Sequence, residues 1–479
     1  MSLIDGARNP LESLLTPHSI AVVGASVNPK KQGYRYMKQL LDFGFKGTIY
    51  PVNSRGGEIL GRKAYSSVSV IPGPVDYVIS TVPAEHVPQL IRDCAHKGVK
   101  ILQLYTAQLG ETGIPERKRL EEHIASLARQ VGIRLLGPNC MGIYRPDIGL
   151  TFRFTSSKVM GDVAFISQSA GHAAEVMYRG ALRGLGFSKI ISYGNAVDIN
   201  ETELLDYIAR DTNTRIITAY IEGVRSPDFA RVLKAVARRK PVIIFKVGRT
   251  EAGARAAVSH TGSLTGNYAV WKGLMKQCRA ISVESLEELI DTAIAFAKLP
   301  LPKGRNVGAI GSGGGGSILA ADEFELHGLR MPPLPQEVLD EIKTFLGDDW
   351  MMVKNPVDSS VVLPAGWGYE EIRRIFRIIA EHPLYQILVG DAGEWRPDHQ
   401  PEIPDYQSMV GLLLETREVT EKPMGIVLRP ADHAEEWRWR ISTEQQQRCI
   451  SEGAAIFPSV GRAARALGKF VDYHLTPQD

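Results

Sequence analysis

Short runs of β-branched and aliphatic residues alternate along the chain with stretches whose apolar positions recur every three or four residues. The continuous apolar runs predict buried strands over 19–23, 47–51, 75–82 and 100–104, and the helical spacing predicts helices between them, as at 34–43 and 87–97. Such rotation of strand and helix is the signature of a doubly wound parallel sheet. The rhythm resumes after Lys158, with strands over 163–166, 189–192, 215–221 and 241–246 and helices such as 173–184 and 226–239. A proline-rich stretch, 298–304, then marks a boundary, and 306–310 opens a third series of strand, glycine loop and helix. The pattern predicts an α/β protein divided at 1–150, 151–303 and 304–479. Its last third is less regular: the polar, proline-bearing stretch 391–406 reads as a long loop, and Trp437-Arg-Trp439 as a surface segment.

Composition narrows the classes of function. At 479 residues the chain has room for about three domains. With 53 acidic against 56 basic residues it lacks the charge of a polyelectrolyte binder, so no nucleic-acid partner is expected. No apolar run approaches the roughly 20 residues that cross a bilayer, and the first residues lack a basic segment followed by an apolar one. A cytoplasmic protein with no membrane partner is expected. The four cysteines, Cys94, Cys140, Cys278 and Cys449, have neither disulfide-framework nor zinc-ligand spacing, so buried reduced thiols and no metal site are expected.

Several short motifs carry chemistry. After the first strand, Val22-Val-Gly-Ala-Ser26 leads toward Lys30, Lys31 and Gly33: Gly24 allows close backbone approach, Ser26 offers a hydroxyl, and the lysines offer charge to a phosphate. Pro51-Val-Asn53 follows the second strand where a dinucleotide site usually carries an acid, which weakens an NAD reading. Ser167-Gln-Ser-Ala-Gly171 and Ser312-Gly-Gly-Gly-Gly-Ser317 each follow a strand and open a helix without the Walker ending. Their candidate phosphate contacts are Ser169, Ala170 and Gly171 in the first and Gly313, Gly314, Gly315 and Gly316 in the second, through unpaired backbone N–H groups. Glu222 ends a predicted parallel strand, the edge where α/β sites form. His260 lies among hydroxyls and glycines in Ala257-Val-Ser-His-Thr-Gly-Ser-Leu-Thr-Gly266, before a predicted helix. A carboxylate on its Nδ1–H would leave Nε2 as a nucleophile. A surface ion pair for Glu222 and an ordinary histidine at 260 are the plainer alternatives.

Taken in order, these motifs resemble the α subunit of the nucleoside-diphosphate-forming acyl-CoA synthetases, the group that includes succinyl-CoA synthetase and the ADP-forming acetyl-CoA synthetases. The residues that carry the resemblance are 23–26 with Gly33, 51–53, Gly137-Pro-Asn-Cys140-Met-Gly142, 167–169, Gly194-Asn195 with Asp198, Tyr220-Ile-Glu-Gly223, Ser259-His-Thr-Gly262 and Asn355-Pro-Val-Asp358. The resemblance implies a Rossmann-like CoA-binding domain followed by two flavodoxin-like doubly wound α/β domains. It implies coenzyme A held by Gly24, Ser26, Lys30, Lys31, Pro51, Asn53, Val82 and Pro83, and substrate contacts at Asn139 and Cys140. It further implies that phosphate displaces CoA from acyl-CoA to give acyl phosphate, that His260, with Glu222 in support, then takes the phosphoryl group and frees the carboxylic acid, and that two helix N-termini cradle the phosphate. ADP or ATP with Mg2+ is then expected on a separate ATP-grasp β subunit, since no ATP-grasp pattern follows residue 304, and the family suggests two α and two β chains.

Members usually read SQSG where this chain has Ser167-Gln-Ser-Ala170-Gly171, so its glycine comes one position later, and His172 directly after it reads as a helix-surface residue. The competing readings are a non-catalytic CoA- or acyl-CoA-binding regulatory protein and, more distantly, an NAD-dependent dehydrogenase.

Overall fold

The computed structural model describes residues 11–12, 15–154, 156–261, 268–311, 313–358, 369–393, 406–429 and 436–476. These fall into two compact units, Met1–Leu289 and Ile290–Asp479.

The first unit holds two doubly wound sheets, one all parallel and one parallel except for its edge strand. One contains β1 (Ser19–Val23), β2 (Thr48–Val52), β5 (Tyr77–Ser80), β6 (Ile101–Leu104) and β7 (Arg134–Leu136), in the order β2-β1-β5-β6-β7, while β3 (Glu58–Ile59) and β4 (Arg62–Lys63) form a small hairpin outside it. Helices α1 (Gln32–Phe43), α2 (Val87–Lys97) and α3 (Pro115–Gln130) alternate with these strands. With the hairpin set aside the order is 2-1-3-4-5, so the topological switch lies between β1 and β5, and the Gly24 turn leaves β1 at that point. Gly24 has φ +86°, and a Cβ on Gly33 would fall 1.9 Å from the Gly24 carbonyl oxygen. The two glycines therefore let α1 start directly against the turn.

The second sheet repeats the plan with β8 (Gly142–Tyr144), β9 (Val163–Ser167), β10 (Phe187–Ser192), β11 (Ile216–Ile221), β12 (Val242–Lys246) and β13 (Ile281–Val283), in the order β13-β12-β11-β9-β10-β8. Its helices are α4 (Ala170–Ala181), α5 (Glu201–Arg210), α6 (Phe229–Ala237), α7 (Glu251–Thr261) and α8 (Tyr268–Cys278). The switch lies between β9 and β11, whose central residues are wholly buried. β8 precedes residue 150 in sequence, yet it pairs antiparallel with β10 and so belongs to this second sheet. Arg134 of β7 reinforces the join between the sheets, gripping Glu203 at 2.6 Å and Asp198 at 2.9 Å.

The second unit is built on β14 (Val307–Ile310), β15 (Ile387–Asp391), β16 (Met424–Val427) and β17 (Ala455–Phe457), all parallel and in sequence order. Beyond β14 single bridges to Arg330 and Val357 continue the pairing on the other side. Helix α9 (Leu286–Lys298) enters this unit, followed by α10 (Gly313–Leu326), α11 (Gln336–Leu346), α12 (Tyr369–Glu381), α13 (Tyr406–Val419), α14 (Glu436–Ser451) and α15 (Val460–Leu475). Asp291 of α9 accepts Arg462 Nε of α15 at 2.6 Å, and Phe296 meets Phe470 edge-on at 5.1 Å. Trp437 and Trp439 are 42% and 54% exposed on α14, while positions 394–405 of the expected long loop lie outside the described residues. All four cysteines are free and buried. Among the described residues no helix is long and apolar enough to cross a membrane, and no group of three or more acidic, histidine or cysteine side chains is arranged to hold a metal ion.

Candidate functional site

In the first sheet, the turn after β1 is fastened to β2 from both sides. Gly24 N and Ala25 N both donate to Val52 O at 3.1 Å, and Asn53 Nδ2 donates to Ala25 O at 2.8 Å while its Oδ1 accepts Arg55 N at 2.9 Å. Both ends of the Asn53 amide thus serve the chain itself, and Pro51 is buried within β2, so these two residues shape the turn. Ser26 Oγ accepts Asn28 N at 3.1 Å. Lys30 and Lys31 are exposed, and α1 starts just after Lys31 with neither a side-chain cap nor an acidic residue in its first turn. A cationic, uncapped helix start beside a glycine turn suits a phosphate-bearing ligand.

A cavity of about 420 Å³ opens beyond the ends of β5 and β6, lined by Val82, Pro83, Tyr105, Thr106, Arg117, Asn139, Cys140, Met141 and Ala170 among others. The structure therefore brings the predicted pairs Val82–Pro83 and Asn139–Cys140 together with the first residue of α4. Buried Tyr36 and Gln103, which motif reading passed over, both donate to Met141 O, at 3.0 and 2.9 Å, and hold the cavity floor in place. The Cys140 thiol faces the Leu136 and Leu104 carbonyl oxygens at 3.4 and 3.6 Å, and burial pushes it up to about 12. It is a protonated packing group, not a nucleophile.

At the switch point of the second sheet, β9 and β11 end side by side. Gln168, 2% exposed, accepts Glu222 N at 2.5 Å and Gly223 N at 3.0 Å through Oε1, while its buried Nε2 has no hydrogen-bond partner among the described residues. The next residue, Ser169, caps α4 by accepting His172 N at 3.3 Å. Ala170 and Gly171 form the first turn behind that cap. Glu222 is 3% exposed, and its carboxylate takes a hydrogen bond from Tyr220, whose hydroxyl is pushed up by burial and then by that neighbouring charge. Lys246, at the end of β12 and 3% exposed, donates to Glu222 O at 2.8 Å and to Val247 O. Burial lowers its ammonium to about 8. Sequence reasoning missed Lys246, although a lysine closing the apolar run Val242-Ile-Ile-Phe-Lys246 is itself a signal, because a buried cation needs a reason to be there.

His172 lies partly exposed on α4, as the sequence reading has it, and its ring is partnered. Its ring lies 4.6 Å from the Tyr220 ring, and Nδ1 sits 3.2 Å from Glu175 Oε2.

The backbone at His260 is the last turn of α7, where the sequence reading put it ahead of a helix; its side chain and residues 262–267 lie outside the described residues. In the second unit Gly313–Gly316 form the first turn of α10, as the spacing predicted, while Ser312 lies outside the described residues.

These sites coincide with two known domain families. Residues 18–146 match the CoA binding domain, and residues 160–296 the succinyl-CoA ligase like flavodoxin domain. The chain is 39% identical over 381 residues to the α subunit of ADP-forming acetate–CoA ligase II from Pyrococcus furiosus, covering 79% of this chain and 82% of that one. It is 38% identical to the ADP-forming acetate–CoA ligase I of Archaeoglobus fulgidus, of whose greater length it covers 54%. Among solved structures, the dinucleotide-forming acetyl-coenzyme A synthetase 1 of Candidatus Korarchaeum cryptofilum, in complex with phosphate and ADP, superposes with a TM-score of 0.83 at 31% identity over 97% of both chains. With two thirds and more of an α-subunit relative matched above 30% identity, the chain belongs to the ADP-forming acyl-CoA ligases, as an α-subunit-type chain.

Proposed function

We propose that this chain binds acyl-CoA in its first sheet and carries the phosphoryl group on His260, as one half of a reversible ligase that makes a carboxylic acid, CoA and ATP from acyl-CoA, phosphate and ADP. Inorganic phosphate attacks the thioester carbonyl, the C–S bond breaks, and CoA leaves as the thiol with acyl phosphate formed. His260 then takes the phosphoryl group with release of the carboxylate, and ADP accepts it from the imidazole. The chain contributes fixed donors and a placed carboxylate. A phosphoryl group with charge spread over its oxygens is stabilised by preorganised N–H groups without a P-loop.

The observation that carries this reading is Gln168. Its Oε1 is fixed by two backbone N–H groups at Glu222 and Gly223, so its Nε2 is a buried donor held in place immediately before the capped start of α4. A buried donor without a protein acceptor is costly unless a ligand supplies one, and an anion at a helix N-terminus does so. Tyr220 and Lys246 hold Glu222 in position, through its carboxylate and its backbone carbonyl, as support for a histidine that becomes cationic on attack. CoA fits the Gly24–Lys31 turn, with its reactive end toward the cavity of Val82, Pro83, Asn139 and Cys140. ADP and Mg2+ belong to an ATP-grasp β subunit, in an assembly of two α and two β chains. The Pyrococcus furiosus relative, covered to 82%, is named as an α subunit, which supports a partner chain.

The test uses the purified chain with acetyl-CoA and radiolabelled inorganic phosphate. The protein should take up a phosphate that is acid-labile and base-stable, as an N–P bond is, and mass spectrometry should place it on His260. His260→Asn should abolish labelling with CoA affinity kept. Label elsewhere, or none in the wild type with the β subunit present, overturns the assignment.

A further inference from the structure

Asn139, on the cavity wall, has its orientation dictated from behind by Asn195. Asn195, 1% exposed, donates through Nδ2 to two carboxylates, Glu111 Oε2 at 2.7 Å and Glu121 Oε2 at 2.8 Å. Both are fixed in turn: Gln108 N donates to Glu111 Oε1 at 2.5 Å and Gly110 N to Glu121 Oε2 at 3.2 Å. Both carboxyl groups accept from Asn195 and from backbone N–H groups, so the Asn195 amide turns its nitrogen toward the pair and its Oδ1 the other way. There it meets Asn139, whose Nδ2 donates to Asn195 Oδ1 at 3.5 Å. The polarity passes on: Asn139, which lines the cavity, gives an N–H to Asn195 and leaves its carbonyl oxygen free of that pairing.

The backbone serves the same end. Asn195 N donates to Pro138 O at 3.0 Å and Val197 N to Gly137 O at 3.2 Å, so the loop after β10 fastens the turn that presents Asn139. Asn139 itself is held at φ +56°, a conformation that asparagine tolerates better than most residues.

We propose that Asn195, oriented by Glu111 and Glu121, is a positioning residue that makes Asn139 present a hydrogen-bond acceptor to the cavity, which therefore selects a ligand bearing an amide N–H or hydroxyl donor at that point. Within the acyl-CoA reading, on which this rests, the secondary amides of the CoA arm have that chemistry. A cavity selecting for a bare acceptor would need the opposite polarity, with the Asn195 oxygen turned toward the carboxylate pair.

The test is a double-mutant cycle on the full chain, with acetyl-CoA binding measured by calorimetry. Asn139→Leu and Asn195→Leu should each weaken acetyl-CoA about tenfold, and the double variant should be no weaker than either, because Asn195 acts only through Asn139. Losses that multiply to about a hundredfold, or an Asn195→Leu variant with wild-type affinity, overturn the proposal. If Asn195→Leu does not fold, Glu111→Gln with Glu121→Gln frees the amide to turn and takes its place in the cycle with the same expected and contrary outcomes. Failure of the wild type to bind acetyl-CoA removes the functional reading and this inference together, whereas binding with an additive cycle removes this inference alone.

Discussion

The chain starts two helices on glycine-bearing loops, and it builds them in opposite ways. At the start of α4 the work falls to side chains: Gln168 ties the end of β9 to Glu222 and Gly223 of the β11 end, Ser169 caps the helix, and Lys246 secures the Glu222 carbonyl. At the start of α10 the work falls to bare backbone. Gly311 has φ +125° with its missing Cβ 2.1 Å from the Asp391 carbonyl oxygen, Gly313 has φ +70°, and a Cβ on Gly314 would stand 3.3 Å from Asp358 Oδ2. Nearby side chains set the frame instead of the turn, as where Asn355 Oδ1 accepts Ala309 N at 3.0 Å. A side-chain-built start fails when a polar group is removed, and a glycine-built one fails when an atom is added.

The sharpest way to break the comparison is to make the wrong change at each start. Gly311→Val forces a β-branched residue into a left-handed backbone against a carbonyl, and should destabilise the second unit by on the order of 3 kcal/mol. Gln168→Leu strands the buried N–H groups of Glu222 and Gly223 and should cost the first unit about 2 kcal/mol, with phosphohistidine labelling slowed more than tenfold. Urea unfolding followed separately for the two units checks both. Equal effects at both starts would erase the distinction.

The same contrast explains what could be read in advance. Glycines, a Ser-Gln-Ser run and a strand-terminal glutamate are local marks, so the βα turns, the start of α4 and the place of Glu222 were legible; strand 19–23 and helix 87–97 matched to the residue. The roles of three residues were hidden, two of them in motifs already singled out, because those roles depend on neighbours distant in sequence. Lys246 reaches back 24 residues to the Glu222 carbonyl, Asn195 joins two carboxylates more than 70 residues earlier, and Gln168 spans 54 residues to Glu222. β8 was missed for a related reason: three residues give no periodicity, and only pairing with β10 makes them a strand.

Lys246 gives the next largest effect and concerns only the side-chain-built start. Its ammonium titrates near 8 in the folded chain, below the usual lysine value, because burial disfavours the charge. Between that value and about 10.4 the unfolded chain binds the proton and the folded chain does not, so stability should rise with pH across this window. Lys246→Met has no such group. The difference in unfolding free energy between the two proteins should therefore change in the wild type's favour by at most about 1.4 kcal/mol per pH unit between pH 8 and 10, and be flat below pH 7. A difference that is constant across that range would show that the lysine is charged in both states and that burial does not govern it.

The smallest effect sharpens the comparison most, because one chemical change, glycine to alanine, should have opposite signs at the two starts. Gly171, in the first turn of α4, has no positive φ, and the nearest atom to an added Cβ is Ser169 Oγ at 3.8 Å, an ordinary contact. Gly171→Ala should then stabilise the first unit by about 0.5 kcal/mol, since alanine restricts the unfolded chain and suits a helix. It also keeps the backbone N–H, so labelling should stay at the wild-type rate if backbone donors, not an absent side chain, serve the phosphate. Gly313→Ala places the same methyl on a residue at φ +70° and should destabilise the second unit by about 1 kcal/mol. Thermal unfolding of the two variants decides the matter. Two losses would mean that α4 also needs its glycine for backbone freedom, and the one-position displacement of that glycine by Ala170 would then be a change in the geometry of the anion site, not merely in its spelling.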